Sequence, residues 1–366
     1  MKISAATLEG VNQKFAIKEM DISDPVADEV LVEIAGVGLC HTDLAVQHGQ
    51  LPFAFPGVVG HEGSGTVVAV GPDVTGIAVG DRVGATFNSC GECTQCNLGM
   101  PSYCVEFMAR NFTGSRPDGS SPLSLDGGPV GSYFFGQSSF ATHAIARERN
   151  VVKLVEGIAL ELAGPLGCGV QTGAGAVLRS LPCAKGESLL VVGGGSVGLS
   201  AVLGAVVREM GTIIVAEPVA ARRELALSLG ATHVIDPNDG LVSEQVRAVL
   251  PEGVNYAIDT TASVKVLTDV IAAMSQRGTV GMLGVPSDPT AELALGLLEI
   301  QARGLSFKGI VEGDSDPEAF IPELVQYHLE GRFPFDKLIT KMPLSQINEA
   351  IEAQGRGEVL KVVLIP

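Results

Sequence analysis

Apolar residues in this chain follow two different rhythms. In roughly the first 150 residues they come in short runs such as 29–34 and 65–72, where apolar and polar positions alternate and Gly or Pro breaks the run. That alternation marks half-buried strands and predicts a mostly antiparallel, barrel-like β domain. From about residue 185 the runs become continuous: 189–192, 212–216, 233–235, 256–259 and 279–283, separated by helix-length segments. Strands that read as unbroken apolar runs are buried on both faces, and with intervening helices they predict a doubly wound parallel sheet. A helix is expected over 317–329 and a last strand over 361–365. Neither continues the repeat, and both are expected to fold back onto the N-terminal domain. Residues 111–139, rich in Gly, Ser and Pro, read as a surface loop.

One run needs separate treatment. Residues 189–207 carry no charge over 19 positions, long enough for a membrane helix. Gly193, Gly194, Gly195 and Gly198 interrupt it and split it into a strand, a turn and a buried helix. The length of 366 residues points to two domains. With 24 basic against 41 acidic residues, the net charge of -17 excludes nucleic acid and anionic membranes as expected partners.

The chemistry sits in cysteines and glycines. Cys90, Cys93, Cys96 and Cys104 are spaced Cys-x2-Cys-x2-Cys-x7-Cys, which lets four thiolates close a tetrahedron around zinc with no open position, a structural site. The alternative, two disulfides in a secreted protein, is disfavoured by the odd total of 7 cysteines and by an N-terminus that begins like a strand. A reducing cytoplasm is the expected location. Gly193-Gly194-Gly195-Ser196-Val197-Gly198 fits G-x-G-x-x-G between a strand and a helix, as a dinucleotide pyrophosphate requires. Glu217 follows 19 positions after Gly198, where a carboxylate accepts the adenosine ribose hydroxyls and repels a 2′-phosphate, so NAD is expected over NADP. Arg222 and Arg223 stand close enough to blunt that preference, but read more simply as solvated helix residues.

Cys40, His61 and Cys168 are too far apart for spacing to unite them. Taken with Gly60-His61-Glu62, the 90/93/96/104 quartet and the Gly193 turn, they match in order and interval the zinc-dependent medium-chain alcohol dehydrogenases. The resemblance spans essentially the whole chain. It implies an α/β architecture: an N-terminal GroES-like, β-barrel-type catalytic domain (residues 1–169, completed by 311–366) and a Rossmann domain (residues 170–310). It implies two zincs per chain, the catalytic one on Cys40, His61 and Cys168, with Glu62 an alternative ligand and Asp43 orienting His61. Hydride transfer from a zinc-bound alkoxide to NAD is the implied reaction. Thr42 matches the hydroxyl that takes the alcohol proton. Many relatives carry a histidine three residues later, where this chain has Ala45, so His48 or water is expected to finish the relay. The same resemblance gives His41 and Lys361 pyrophosphate contacts, packs Thr172 against the nicotinamide, and includes Gly193, Gly195, Val197 and Gly198 in the cofactor turn.

Residues 111–119 and 134–141 look most like the aryl-alcohol (benzyl alcohol) dehydrogenase branch. Primary aromatic or allylic alcohols are therefore the expected substrates, in a pocket lined by side chains such as Phe87, Phe112, Leu283 and Val285. The alternatives are a dehydrogenase of small aliphatic alcohols or of a formaldehyde–thiol adduct and, from another class, a non-catalytic zinc- and nucleotide-binding redox sensor. Relatives form dimers or tetramers, commonly through an edge strand of the nucleotide domain, here expected within residues 295–307.

Overall fold

The computed structural model describes residues 1 to 366 and divides into two compact units. The first comprises Met1–Cys168, Asp316–Leu329 and Asp336–Pro366; the second comprises Gly169–Ser315 and Glu330–Phe335.

The first unit is built on two β-sheets. In the larger, the long strand Glu29–Gly38 is the hub, pairing antiparallel with Gly63–Val70, His143–Arg147 and the C-terminal strand Lys361–Ile365. Register shifts near Leu31 and Ile34 bend this strand, as bulges do, which lets one strand serve several neighbours. The pairing Val363↔Gly38 and Leu364↔Val37 brings the end of the chain to Gly38, two residues before Cys40. The smaller sheet runs Gly57–Val58, Lys2–Leu8, Ala16–Ile22, Leu123–Leu125 and Gly128–Pro129.

Residues 111–139 depart from the expected surface loop. They supply the Leu123–Leu125/Gly128–Pro129 hairpin, and Phe134, Phe135, Gln137, Ser138 and Ser139 are buried. Left-handed backbone at Tyr133, Phe135 and Ser138 folds the segment inward, where the two phenylalanine rings remove large apolar surface from water. Gly and Ser richness here serves sharp turns within the core rather than exposure.

The second unit contains a six-stranded parallel sheet in the order His233–Ile235, Thr212–Ala216, Ser188–Val192, Val254–Asp259, Met274–Met282, Ser306–Gly309. The doubly wound reading therefore holds, with strand order reversing beside Ser188–Val192, the most N-terminal strand. That strand is buried along its length, which accounts for its uninterrupted apolar sequence. The helix Ser196–Val207 is buried over most of its circumference, so it lacks the polar face of a surface helix. No helix is long and apolar enough to cross a membrane.

Candidate metal centres and cofactor cradle

Two clusters of metal-ligating side chains lie in the first unit. Potential ligand atoms of Cys90, Cys93, Cys96 and Cys104 all lie within 4.8 Å of one another, and so do those of Cys40, His61, Glu62 and Cys168. All seven cysteines are free thiols, which removes the disulfide alternative.

The quartet is organised by its own backbone. The N–H of Cys93 donates to Cys90 Sγ (3.3 Å), that of Cys90 to Cys104 Sγ (3.2 Å), and that of Glu106 to Cys104 Sγ (3.4 Å). Backbone donors from Cys96 and Val105 draw the Cys93 thiol down to about 6, whereas burial pushes Cys104 up to about 12. Four converging sulfurs with such unequal acidities fit a divalent cation, which supplies the charge that lets all four ionise.

The second cluster is held by side chains from distant segments. Cys40 caps the short helix His41–Gln47, and the third helix residue, Asp43, reaches back to accept the Cys40 N–H at 3.0 Å. The other Asp43 oxygen meets His61 Nδ1 at 2.8 Å and accepts the Gly60 N–H at 3.0 Å. One fully buried carboxylate thus positions two candidate ligands at once. Because Asp43 accepts from Nδ1, the lone pair of His61 falls on Nε2, and that buried atom has no hydrogen-bond partner. Burial opposes charge on the His61 ring, but the Asp43 carboxylate and Cys40 outweigh it and hold the ring's proton affinity well above the usual histidine range. The same electrostatics favour a metal cation. A hydrogen bond from Cys168, aided by His61 and opposed by burial, holds Cys40 well below the usual thiol range. Two sulfurs and one open imidazole nitrogen fit zinc with a position left over.

Glu62 is the cluster's fourth member, and it is clamped. The Lys361 ammonium, itself only 2% exposed, lies 2.7 and 2.6 Å from the two Glu62 oxygens and donates to Leu39 O at 3.0 Å. Burial raises the Glu62 carboxyl to about 6 against the pull of the Lys361 charge. Burial likewise opposes charge on Lys361, and Glu62 overrides it, keeping the lysine protonated. The expectation for Lys361 was a pyrophosphate contact; the structure commits its ammonium to Glu62. Gly38 makes the room, since a Cβ there would stand 1.8 Å from Glu62 Oε2.

The remaining expected residues of this unit are placed as follows. Thr42 is half-buried with its hydroxyl 3.7 Å from Cys40 Sγ, and His41 is exposed at the first helical position. His48 is exposed at the helix C-cap with no bond to Thr42. Phe87 is core, ring to ring with Phe107 at 5.7 Å, and Phe112 packs on Phe134 and Phe135. Phe135 in turn stacks on the His61 ring at 4.4 Å, with Phe134 edge-on at 5.5 Å. Sequence reasoning missed this aromatic wall behind the histidine; the adjacent Phe134-Phe135 pair inside a Gly/Ser-rich stretch was the available signal.

In the second unit, Gly193 (φ +95°) turns the chain out of Ser188–Val192, and Gly198 packs where a Cβ would meet Gly193 O at 1.9 Å. At Gly195 a Cβ would meet nothing within 4 Å, so backbone is open to an incoming group at the N-terminus of the 12-residue helix that includes Val197. Glu217 is buried beside it, accepting the N–H groups of Gly194 (2.7 Å) and Val219 (2.9 Å) and retaining lone pairs for further donors. This cradle fits a dinucleotide. Arg223 is tied to Asp236 at 2.8 Å and is not available to a 2′-phosphate. Leu283 is half-buried and Val285 is 84% exposed. Thr172 lies on the helix Gly169–Gly175, its hydroxyl 3.3 Å from Glu312 Oε2, a contact not foreseen from sequence.

Comparison with known proteins decides the family. Residues 26–156 match the alcohol dehydrogenase GroES-like domain and residues 196–326 the zinc-binding dehydrogenase domain. Over 363 residues the chain is 48% identical to geraniol dehydrogenase of Castellaniella defragrans, covering 99% of this chain and 97% of that one. The chain belongs to the zinc-dependent medium-chain alcohol dehydrogenases. Its fold matches the crystal structure of an alcohol dehydrogenase zinc-binding domain protein from Burkholderia ambifaria (TM-score 0.98, 44% identity, 100% of this chain and 99% of that chain). It also matches that of benzyl alcohol dehydrogenase from Acinetobacter calcoaceticus (TM-score 0.96, 40% identity, 100% and 99%). Membership makes the chain an alcohol dehydrogenase of the zinc-binding type, with small-molecule alcohol and aldehyde substrates.

Proposed function

We propose that this dehydrogenase interconverts primary aromatic or allylic alcohols and their aldehydes with NAD, at a metal held by Cys40, His61 and Cys168. The observation that carries the reading is the buried, unpartnered Nε2 of His61, in a ring gathered with the two sulfurs in one cluster while Nδ1 is committed to Asp43. Zinc bound there supplies Lewis acidity, which eases loss of the alcohol proton and polarises the aldehyde. Asp43 keeps His61 in the ligating tautomer. Lys361 acts as the clamp that holds Glu62 charged and in reach as an alternative ligand. Thr42 takes the alcohol proton. His48 lies six helical positions further on, roughly 9 Å along the axis, so the proton leaves through the cofactor ribose or water rather than directly.

The quartet locks its lobe and takes no part in the reaction. On the cofactor side, Gly193, Gly195, Val197 and Gly198 receive the pyrophosphate, His41 adds a contact to it, Glu217 takes the adenosine ribose and Thr172 packs on the nicotinamide. The substrate class rests on the relatives, one acting on the allylic alcohol geraniol and another on benzyl alcohol. Free thiols suit a reducing cytoplasm. The open edge of Ser306–Gly309, beside Leu297 and Leu298 at 83% and 78% exposure, supports a homodimer through that edge.

The test is a substrate panel on zinc-loaded protein: benzyl alcohol, geraniol and ethanol, each with NAD and NADP. Benzyl alcohol and geraniol should exceed ethanol in kcat/KM by about 100-fold, a margin that an apolar pocket gives over a few missing carbons. NAD should be preferred, and Glu217→Ala should relax that preference. Fastest turnover of ethanol would move the assignment to small aliphatic alcohols, and no turnover of any alcohol would leave a redox sensor.

A further inference from the structure

We propose that Gln137 and Thr86 are positioning residues for the metal: together they tie the backbone beside His61 to the backbone beside Cys168 and so set the spacing of those two ligands. The inference rests on the metal reading of Cys40, His61 and Cys168 given above. Asp43 accounts for two of the three. Its bonds go to Cys40, Gly60 and His61, and none goes to the segment that carries Cys168.

Gln137 is 2% exposed and lies alongside the turn that carries His61. Its Nε2 donates to His61 O at 2.8 Å and its Oε1 accepts the Gly63 N–H at 3.0 Å, so one amide grips the backbone on both sides of Glu62. These partners fix which way the amide points, because a carbonyl only accepts and an N–H only donates. Ser139 Oγ donates to the same Oε1 at 2.5 Å, and the Ser139 N–H donates to Gly60 O at 2.8 Å. Gly63 admits this close approach, since a Cβ there would stand 2.3 Å from Ser139 Oγ.

The bridge continues from the same amide. Gln137 Nε2 also donates to Thr86 O at 3.2 Å. Thr86 is 1% exposed, and its hydroxyl donates to Gly167 O at 2.7 Å. That carbonyl belongs to the peptide bond entering Cys168. Gly167 is pressed on the Thr86 segment, where a Cβ would stand 1.9 Å from Ala85 O. Thr86 is in turn held by Asn150, whose carbonyl accepts the Thr86 N–H at 2.9 Å. A continuous, buried and uncharged path thus runs from His61 O through Gln137 and Thr86 to Gly167 O.

Hydrogen bonds in a low-dielectric interior strengthen one another and rigidify the groups they join. Each end of this path is a carbonyl next to a metal ligand, His61's own and the one preceding Cys168. Fixing the two peptide planes fixes where the imidazole and the thiol leave the backbone, and with them the gap a metal must span. Misplacing a catalytic group by about 1 Å can cost about 100-fold in rate. The bridge should therefore act on kcat and on metal retention, and leave substrate affinity alone.

The test compares wild type with Thr86→Val, Thr86→Ser and Gln137→Met, loaded with zinc for kinetics and chelator challenge and with cobalt(II) for visible absorption. Thr86→Val keeps the shape and deletes the bond to Gly167. Its kcat for benzyl alcohol should fall about tenfold with KM within about twofold, and zinc at the Cys40 site should pass to a chelator about tenfold faster. The cobalt d–d bands should shift as the ligands relax. The last two readouts need no alcohol, so they hold whichever substrate is turned over. Thr86→Ser keeps the hydroxyl and should return all of them to near wild type. Gln137→Met removes every hydrogen bond of the amide, and kcat should fall about 100-fold. If Thr86→Val lowers only the urea midpoint, leaving kcat, zinc release and the cobalt bands unchanged, the bridge supports the fold alone and the inference is overturned. Equal losses in Thr86→Val and Thr86→Ser overturn it as well, since the hydroxyl would then restore nothing. Should Gln137→Met fail to fold, the contrast between the two Thr86 variants decides. Wild type that takes up one metal per chain instead of two would refute the metal reading itself.

Discussion

The two metal clusters share cysteine ligands, four in one and two beside His61 and Glu62 in the other, and are held by different means. The quartet draws its four sulfurs from residues 90–104, and its hydrogen bonds come from the backbone of that stretch and of Glu106 just beyond it. The other cluster draws ligands from residues 40 to 168 and is fixed by two buried charged side chains, Asp43 and Lys361, the latter 299 residues from Glu62. A local cluster uses metal binding to shape its own loop, so its free energy appears as stability. A dispersed cluster is assembled by strands that fold regardless, and its free energy is left for chemistry. Loss of one ligand should therefore separate the two: activity without stability in one case, stability without activity in the other.

The largest effect expected is that of Cys40→Ser. Oxidation of benzyl alcohol should fall at least about 10,000-fold, about 5 kcal/mol of transition-state stabilisation. Bound zinc should drop from two per chain to one, and the urea midpoint should hardly move. Full unfolding in Cys40→Ser would mean that the dispersed cluster is structural too, and the contrast would collapse.

Cys104→Ser should do the reverse. It opens the tetrahedron of the quartet and should destabilise the first unit by about 4 kcal/mol, a fraction of what a structural zinc contributes. The sign is a lower urea midpoint at unchanged slope, with kcat per folded molecule within about twofold of wild type. A stable variant that had lost turnover would place the quartet in the reaction.

This contrast also explains what could be read from the chain. The quartet was legible because four ligands fall within one loop, and the parallel sheet because each buried strand is an unbroken apolar run. The expected helix over 317–329 and the strand over 361–365 both formed, being long or apolar enough to override context. Cys40, His61 and Cys168 were united only through resemblance, since spacing carries no information about contacts between segments so far apart. Lys361 shows the limit. A single lysine in a C-terminal strand reads as an exposed charge, and only the pairing of Val363 with Gly38 brings it to Glu62. The burial of Phe134 and Phe135 was equally hidden, because left-handed phenylalanine has no propensity signal.

The smallest effect should come from Gly38→Ala, and it examines the side-chain scaffold of the dispersed cluster without substituting Cys40, His61 or Cys168. The new Cβ would stand 1.8 Å from Glu62 Oε2 and 3.0 Å from its carboxyl carbon, so the flexible end of Glu62 must swing. Its clamp then loosens, leaving the Lys361 charge buried with Leu39 O as its remaining bond of those described above. Breaking a buried pair outright costs several kcal/mol; with the carboxylate only displaced, about 2 kcal/mol is expected. That should appear as a modest fall in the urea midpoint and roughly a tenfold loss of kcat/KM. Both zincs should stay bound. Shortening the acid in Gly38→Ala/Glu62→Asp relieves the collision and should recover part of both losses. If the double variant is worse than Gly38→Ala alone, Glu62 and Gly38 act independently, and the dispersed cluster is not held through the Glu62–Lys361 pair. Recovery of stability without recovery of rate would assign the pair to folding, and the difference between the two clusters would then lie in Asp43 alone.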